Sequence, residues 1–161
     1  MTLIAIGSAC YALIRRNVMA AAVLLVAPYA AAVSCNLLKG WVDRQRPSLD
    51  CSSIQAEGFS FPSGHAVGVT TGFLLAVLYV GMQTPRTISV LLLALAGAGA
   101  ELVAWSRVFL GVHFSVDVLA GQLLGAGWLA VAVLVLHRQS AGRLRREARQ
   151  ALTNSATEHV P

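Results

Sequence analysis

Charge is scarce in this chain. Asp, Glu, Lys and Arg make up 12% of its 161 residues, about half the share usual in a soluble domain, and that scarcity excludes an ordinary water-facing surface. Lysine is scarcer still: Lys39 is the single lysine, and the other eleven of the twelve basic residues are arginine. Acids are few enough to leave a net charge of +5, yet the cations form no groove-sized patch and no aromatic-basic module, which argues against nucleic acid as a partner. Three cysteines, Cys10, Cys35 and Cys51, show no metal or redox spacing and cannot all be paired within one chain. They read as small apolar residues and one loop thiol.

Apolar residues, at 57% of the chain, are what the sequence has in abundance. Val18 to Leu38, Ala66 to Met82, Ile88 to Trp105 and Phe114 to Leu136 each have about the length, roughly 20 residues, that crosses hydrocarbon as a helix. A shorter run, MTLIAIGSACYALI, precedes Arg15 and Arg16. A secretory signal carries its positive charge before the apolar run and not after it, so this segment reads as a short or truncated span. Its brevity leaves open a further helix upstream. The expected fold is all-α: a polytopic transmembrane bundle of about five membrane helices over 1–136 with its active site at one membrane face. A basic, partly disordered cytoplasmic tail is expected over 137–161.

Alternating spans decide which loops share a side. The loop Lys39 to Pro62 and the loop around Ser106 to Val112 fall together. The other side receives Arg15, Arg16, Arg86, Arg138, Arg143, Arg145, Arg146 and Arg149. Positive charge flanking short loops marks the cytoplasmic face, so the chain is expected in the cell membrane with the first pair of loops facing outside or the periplasm. That outer face nevertheless holds Lys39, Arg44, Arg46 and Arg107, with Trp41 and Trp105 near the headgroup level. Arg44 reads as a headgroup anchor. The basic tail reads as a topology anchor that touches anionic lipid.

Three stretches on that face share a chemistry: KGWVDRQRP (Lys39 to Pro47), FPSGHA (Phe61 to Ala66) and SRVFLGVHFSVD (Ser106 to Asp117). Pro62 blocks a preceding helix, Ser63 suits an N-cap, and Gly64 lets an anion approach the free N–H groups of the helix start, with His65 in the first turn. His113 and Asp117 are four apart, one helical turn, so the carboxylate can accept one ring N–H and leave the other nitrogen as a free lone pair. Arginine's planar fork and lysine's compact charge both suit phosphate.

Lys39 with six residues before Arg46-Pro47, then Pro62-Ser63-Gly64-His65, then Ser106-Arg107 with five residues before His113 and three more before Asp117, resembles the three-part signature of the type 2 phosphatidic acid phosphatases. That superfamily also includes vanadium-dependent haloperoxidases and bacterial acid phosphatases. The resemblance implies that His113 attacks phosphorus and forms a phosphohistidine, that Asp117 orients it, and that His65 protonates the leaving oxygen. It implies that Lys39, Arg46, Arg107, Ser63 and the Gly64 N–H hold the phosphate oxygens, with no metal or other cofactor. Membrane members of the family usually have three helices before the first motif; here there are at most two. Glu101, about a turn and a half below Arg107, is outside the signature and is expected to hold a phosphate-binding cation or Asn36 in place.

The expected partners are therefore a lipid phosphate and the surrounding membrane lipids, with homo-oligomerisation open. The resemblance implies a polyprenyl-linked sugar phosphate such as decaprenylphosphoryl-5-phosphoribose, or a polyprenyl diphosphate, with phosphatidylglycerophosphate or phosphatidic acid as alternatives. A non-catalytic lipid-phosphate binder or transporter is the reading outside the enzyme class. Headgroup selection is expected in the loop Asp50 to Phe61, which is long enough to cover the site. The orientation gives a direct test: a membrane-impermeant thiol reagent should label Cys51 on intact cells, and labelling only after permeabilisation would reverse the topology.

Overall fold

The computed structural model describes residues 2–47 and 57–158, with backbone alone for 143–149 and 151–158. Cys51 and most of the segment Asp50 to Phe61 thus lie outside the described residues. The regular structure among the described residues is entirely helical: α1 (Thr2–Ile14), α2 (Val18–Val42), α3 (Gly64–Gly68), a π turn (Val69–Phe73), α4 (Leu74–Gly81), α5 (Arg86–Phe109) and α6 (Ser115–Glu158). The segments α3, π turn and α4 run on as one span. Four stretches are long and apolar enough to cross a membrane, Val18–Val42, Gly64–Gly81, Arg86–Phe109 and Ser115–Gly142, and they overlie the four apolar runs of the sequence. The fifth, α1, is 13 residues long, about 20 Å of helix. The polytopic helical bundle is the fold expected.

Local chemistry sets the ends of these helices. Asn17 begins α2 by accepting the Ala20 N–H on its side-chain oxygen at 3.1 Å. Asp43 ends α2 in the left-handed conformation, φ 51°, its N–H closing on Lys39 O. Gly111, at φ 68°, supplies the reversal between α5 and α6 that a side chain would resist. Beyond residue 142 the backbone continues α6 to Glu158. No Gly or Pro interrupts 143–158, and Ala, Arg, Leu, Gln and Glu there favour helix.

Where the helices touch, they touch through small residues. Ala9, Ala12, Ala20, Ala21, Ala27 and Ala132 line one buried cluster with Leu24, Leu75 and Tyr79, and Ala66, Ala100 and Ala104 line another with Val69 and Val118. Larger apolar side chains such as Leu25, Leu91, Leu102, Leu123 and Val131 stand on the outside. That distribution inverts a water-soluble core and suits a bundle whose solvent is lipid, where close backbone approach drives association.

The closest approach sets the site. A Cβ at Gly121 would lie 2.6 Å from Ser63 O, and one at Gly125 would lie 2.8 Å from Thr70 Cβ and 3.0 Å from Val67 O. Thr71 Oγ1 also donates to Gly125 O at 3.1 Å. Two glycines one turn apart therefore let α6 rest on α3 and the π turn, backbone against backbone. Gly121→Ala should lower the thermal midpoint of the purified protein, at a cost of about 1–3 kcal/mol for overpacking. Gly127→Ala, where a Cβ meets nothing within 4 Å, should leave the midpoint unchanged or raise it; equal losses at both positions would refute the close contact.

Candidate active site

Hydrogen bonds bring the three sequence stretches together at one end of the bundle. Ser63 N donates to Asp117 O at 2.9 Å, Arg46 Nη1 donates to Val112 O at 2.9 Å, and Lys39 Nζ donates to Phe59 O at 2.7 Å. His65, at the exposed start of α3, lies within electrostatic range of Arg107, Arg46 and Lys39. Each residue expected in the site is therefore at this end except Glu101, treated below.

His113 and Asp117 do pair, though not as two residues on one helix. His113 occupies the turn before α6, and Asp117 sits in the first turn of α6. Asp117 Oδ2 accepts the Phe114 N–H at 2.9 Å. That contact is half of a capping box, in which the third helical residue reaches back to the N-cap amide. The same oxygen lies 3.5 Å from His113 Nδ1, a separation longer than a tight charge-assisted bond of about 2.8 Å. Nδ1 has no hydrogen-bond partner among the described residues, and hydrogen bonds of this kind often tighten only when substrate binds. On the far side of the ring, Nε2 is 3.3 Å from Arg46 Nη1. An arginine nitrogen can only donate, so Nε2 carries the lone pair and Nδ1 the proton, pointing at Asp117. This tautomer presents a nucleophilic nitrogen toward the cations.

Burial pushes the His113 imidazole below its ordinary pKa; Arg46 and Lys39 push it the same way, against the opposing pull of Asp117. The ring is thus neutral at neutral pH and gains its proton only as the pH falls below the ordinary histidine value of about 6.5.

Arg46 does more bracing than the sequence suggests. Its Nε donates to Gly58 O at 3.0 Å and its Nη2 to Glu57 O at 3.0 Å, while Nη1 serves Val112 O and His113. Of its five donors one Nη2 proton remains for a ligand among the described residues, so this arginine ties the loop before α3 to the turn carrying His113. Arg107 is freer: Nε and Nη2 both donate to Ser106 Oγ, at 3.1 and 3.0 Å, which leaves Nη1 available. Ser106 Oγ in turn donates to Val103 O at 2.8 Å, so a residue quoted in the motif without a role acts as a rest for the guanidinium. Adjacency in Ser106-Arg107 was its signal.

Three expectations are corrected. Ser63 does precede α3, but its side chain makes no cap bond; Oγ is buried and without a partner among the described residues. With its amide spent on Asp117 O, the hydroxyl is left for a ligand beside the Gly64 N–H. Glu101 holds neither a cation nor Asn36: its oxygens accept from Trp105 Nε1 at 3.0 Å and Gln122 Nε2 at 2.8 and 2.9 Å. One turn of helix brings Trp105 over it, and α6 supplies the amide. Arg44 is not a free headgroup anchor, since its Nη1 lies 3.2 Å from Asp117 Oδ1.

Among the described residues no three His, Cys, Asp or Glu side chains gather as a metal site requires. The fold and the site together define a polytopic membrane protein with a cationic, histidine-bearing anion centre at one end of its helices. The chain belongs to the PAP2 superfamily, whose family model matches residues 17–141. It is 36% identical over 91 residues to phosphatidylglycerophosphatase B of Bacillus subtilis, covering 55% of this chain and 44% of that one. It is 36% identical over 88 residues to the undecaprenyl-diphosphatase of Sulfolobus acidocaldarius, covering 55% and 37%. To the decaprenylphosphoryl-5-phosphoribose phosphatase of Mycobacterium tuberculosis it is 33% identical over 93 residues, covering 56% and 46%. In each case the match spans less than half of the relative. The crystal structure of a transmembrane PAP2-type phosphatidylglycerolphosphate phosphatase from Bacillus subtilis superposes with a TM-score of 0.77 at 28% identity, covering 85% of this chain and 68% of that one.

The tautomer and the electrostatics generate a measurement. In an imidazole NMR titration His113 should protonate below the ordinary histidine range, and Arg46→Gln should raise that midpoint because a nearby cation is lost. A wild-type midpoint at or above about 6.5 would overturn this account of the ring.

Proposed function

We propose that this chain is a membrane phosphatase that hydrolyses a phosphate ester or diphosphate on a lipid through a phosphohistidine, without a metal. The observation that carries the reading is His113, whose Nε2 lone pair faces Arg46 at 3.3 Å while Nδ1 faces the buried Asp117. Nε2 attacks phosphorus in line, forming the N–P bond as the bond from phosphorus to the lipid oxygen breaks. His65 gives its proton to that oxygen. Water then attacks the phosphohistidine, His65 takes the water proton, and the N–P bond breaks to release inorganic phosphate. Lys39, Arg46, Arg107, the Ser63 hydroxyl and the Gly64 N–H stabilise the charge that spreads over the equatorial oxygens.

A lipid substrate is supported by the surroundings. An apolar cavity of about 540 Å³ between α1, α2 and α3 is lined by Ile6, Leu25 and Tyr29 and reaches Gly64. The names of the relatives carry three different lipid headgroups, so what they share is the phosphate and the chain. A polyprenyl-linked sugar phosphate such as decaprenylphosphoryl-5-phosphoribose ranks first, with a polyprenyl diphosphate beside it, ahead of phosphatidylglycerophosphate and phosphatidic acid. The site faces outward and the tail lies in the cytoplasm, a reading supported by the excess of arginine flanking the opposite ends of the spans.

Purified protein offered these four lipids should release phosphate from at least one of them with chelator present. Vanadate should inhibit the release, and His113→Ala should abolish it. Activity that needed magnesium or survived in His113→Ala would sink the mechanism, and lipid binding without release would favour a non-catalytic carrier.

A further inference from the structure

Arg44 leaves α2 directly after the left-handed cap Asp43 and reaches α6, 73 residues away in sequence, to place Nη1 3.2 Å from Asp117 Oδ1. Its guanidinium carbon lies 4.4 Å from the centre of the Phe114 ring, a platform that favours an arginine over a lysine. Asp117 has no exposed side-chain surface while Arg44 retains 38%, so a partly solvated cation serves a fully buried carboxylate. Such a carboxylate requires partners to offset its lost hydration. Here Arg44 holds Oδ1 and the Phe114 amide holds Oδ2, and between them they fix the carboxylate plane. The His113 ring meets an oxygen whose position and charge are set by others.

The charged groups around His113 make the effect of Arg44 predictable in sign. Arg46, from the loop after α2, lies 3.3 Å from Nε2. Asp117, from α6, lies 3.5 Å from Nδ1, and Lys39, from α2, acts on the ring electrostatically. Arg107, the end of α5, accepts the His113 N–H on its backbone oxygen at 3.3 Å, and His65 stands at the start of α3. Asp117 is the acid of this set, and an unshared carboxylate would draw a proton onto the imidazole. A protonated imidazole has no lone pair with which to attack.

We propose that Arg44 is a positioning residue that tunes His113 through Asp117, sharing the carboxylate charge so that the imidazole stays neutral and aiming Oδ2 at Nδ1. Its catalytic consequence rests on the phosphatase reading, but its effect on the imidazole does not, and the two are measured separately. The His113 resonance, assigned by its loss in His113→Ala, is titrated in wild type, Arg44→Gln, Arg44→Lys and Arg86→Gln, and kcat/KM is followed against pH for the same proteins. Arg44→Gln should raise the His113 midpoint and lower kcat/KM on the acid side of the profile by roughly three- to tenfold. Arg44→Lys should restore part of both, and Arg86→Gln, at the opposite end of the bundle, should change neither. In Asp117→Asn, adding Arg44→Gln should move the midpoint much less, because the path between them is gone. An unmoved or lowered midpoint in Arg44→Gln, with only a reduced thermal midpoint, would make Arg44 a structural tie and overturn the proposal. A wild type that releases no phosphate would refute the phosphatase reading while the titration still decides Arg44.

Discussion

A carboxylate with no exposed surface, Asp117, is the group around which this end of the protein is built. In a lipid-soluble bundle a buried acid persists only if other groups come to it, and four groups from three parts of the chain do. Arg44 arrives from the end of α2, the Phe114 amide from the turn before α6, and His113 from the same turn. The fourth is Ser63, whose amide bonds the Asp117 backbone oxygen. Satisfying one residue therefore draws together the first loop, the start of α3 and the α5–α6 turn. Those are the three stretches to which the proposed phosphate chemistry is assigned, so assembly of the candidate site is inseparable from desolvation of the acid.

The helices permit that convergence through what they omit. Gly121 and Gly125 present bare backbone to Ser63, Ala66, Val67 and Thr70, and the resulting contact places the first turn of α6 over the start of α3. A side chain at Gly121 would push Asp117 away from Ser63 and loosen the bond between them. Alanine performs the same service along α1, α2 and α5. The rigidity of the centre thus comes from close packing deep in the bundle, while the candidate catalytic groups occupy helix ends, where backbone N–H groups and charge can meet an aqueous phosphate.

Much of this was legible in the sequence, and the limits have physical causes. The four apolar runs gave the spans because hydrocarbon thickness is a length that a run of residues either matches or does not. Spacing gave His113 and Asp117 because one helical turn is local, although the histidine stands just before the helix and the pairing works through a cap. Arg44 was misread because its partner is 73 residues away, and no local pattern separates a cation bound for a buried acid from one bound for a headgroup. Glu101 was misread for a related reason: an acid in an apolar run calls for a partner, but the sequence offered nearby cations while the fold brought Gln122 across from α6. Ser63 has a capping residue's identity and position, yet the helix start leaves its hydroxyl unspent.

That unspent hydroxyl belongs to a wider imbalance that defines the ligand. Arg44 is matched by Asp117, but among the described residues Lys39, Arg46 and Arg107 bond backbone oxygens, a serine hydroxyl and the neutral His113 ring, none of which carries a full charge. Three cations at the mouth of a low-dielectric bundle repel one another strongly, and their excess is tolerable where an anion regularly shares the space. The buried Ser63 hydroxyl and the Gly64 N–H lie on the same side as those cations. A dianionic phosphate supplies charge and acceptors together, which a carboxylate or a neutral headgroup does only in part. The proposed neutral state of His113 belongs to the same balance: cations placed to receive a phosphate also disfavour a proton on the imidazole, so in the proposed mechanism the field that would bind the substrate preserves the attacking lone pair.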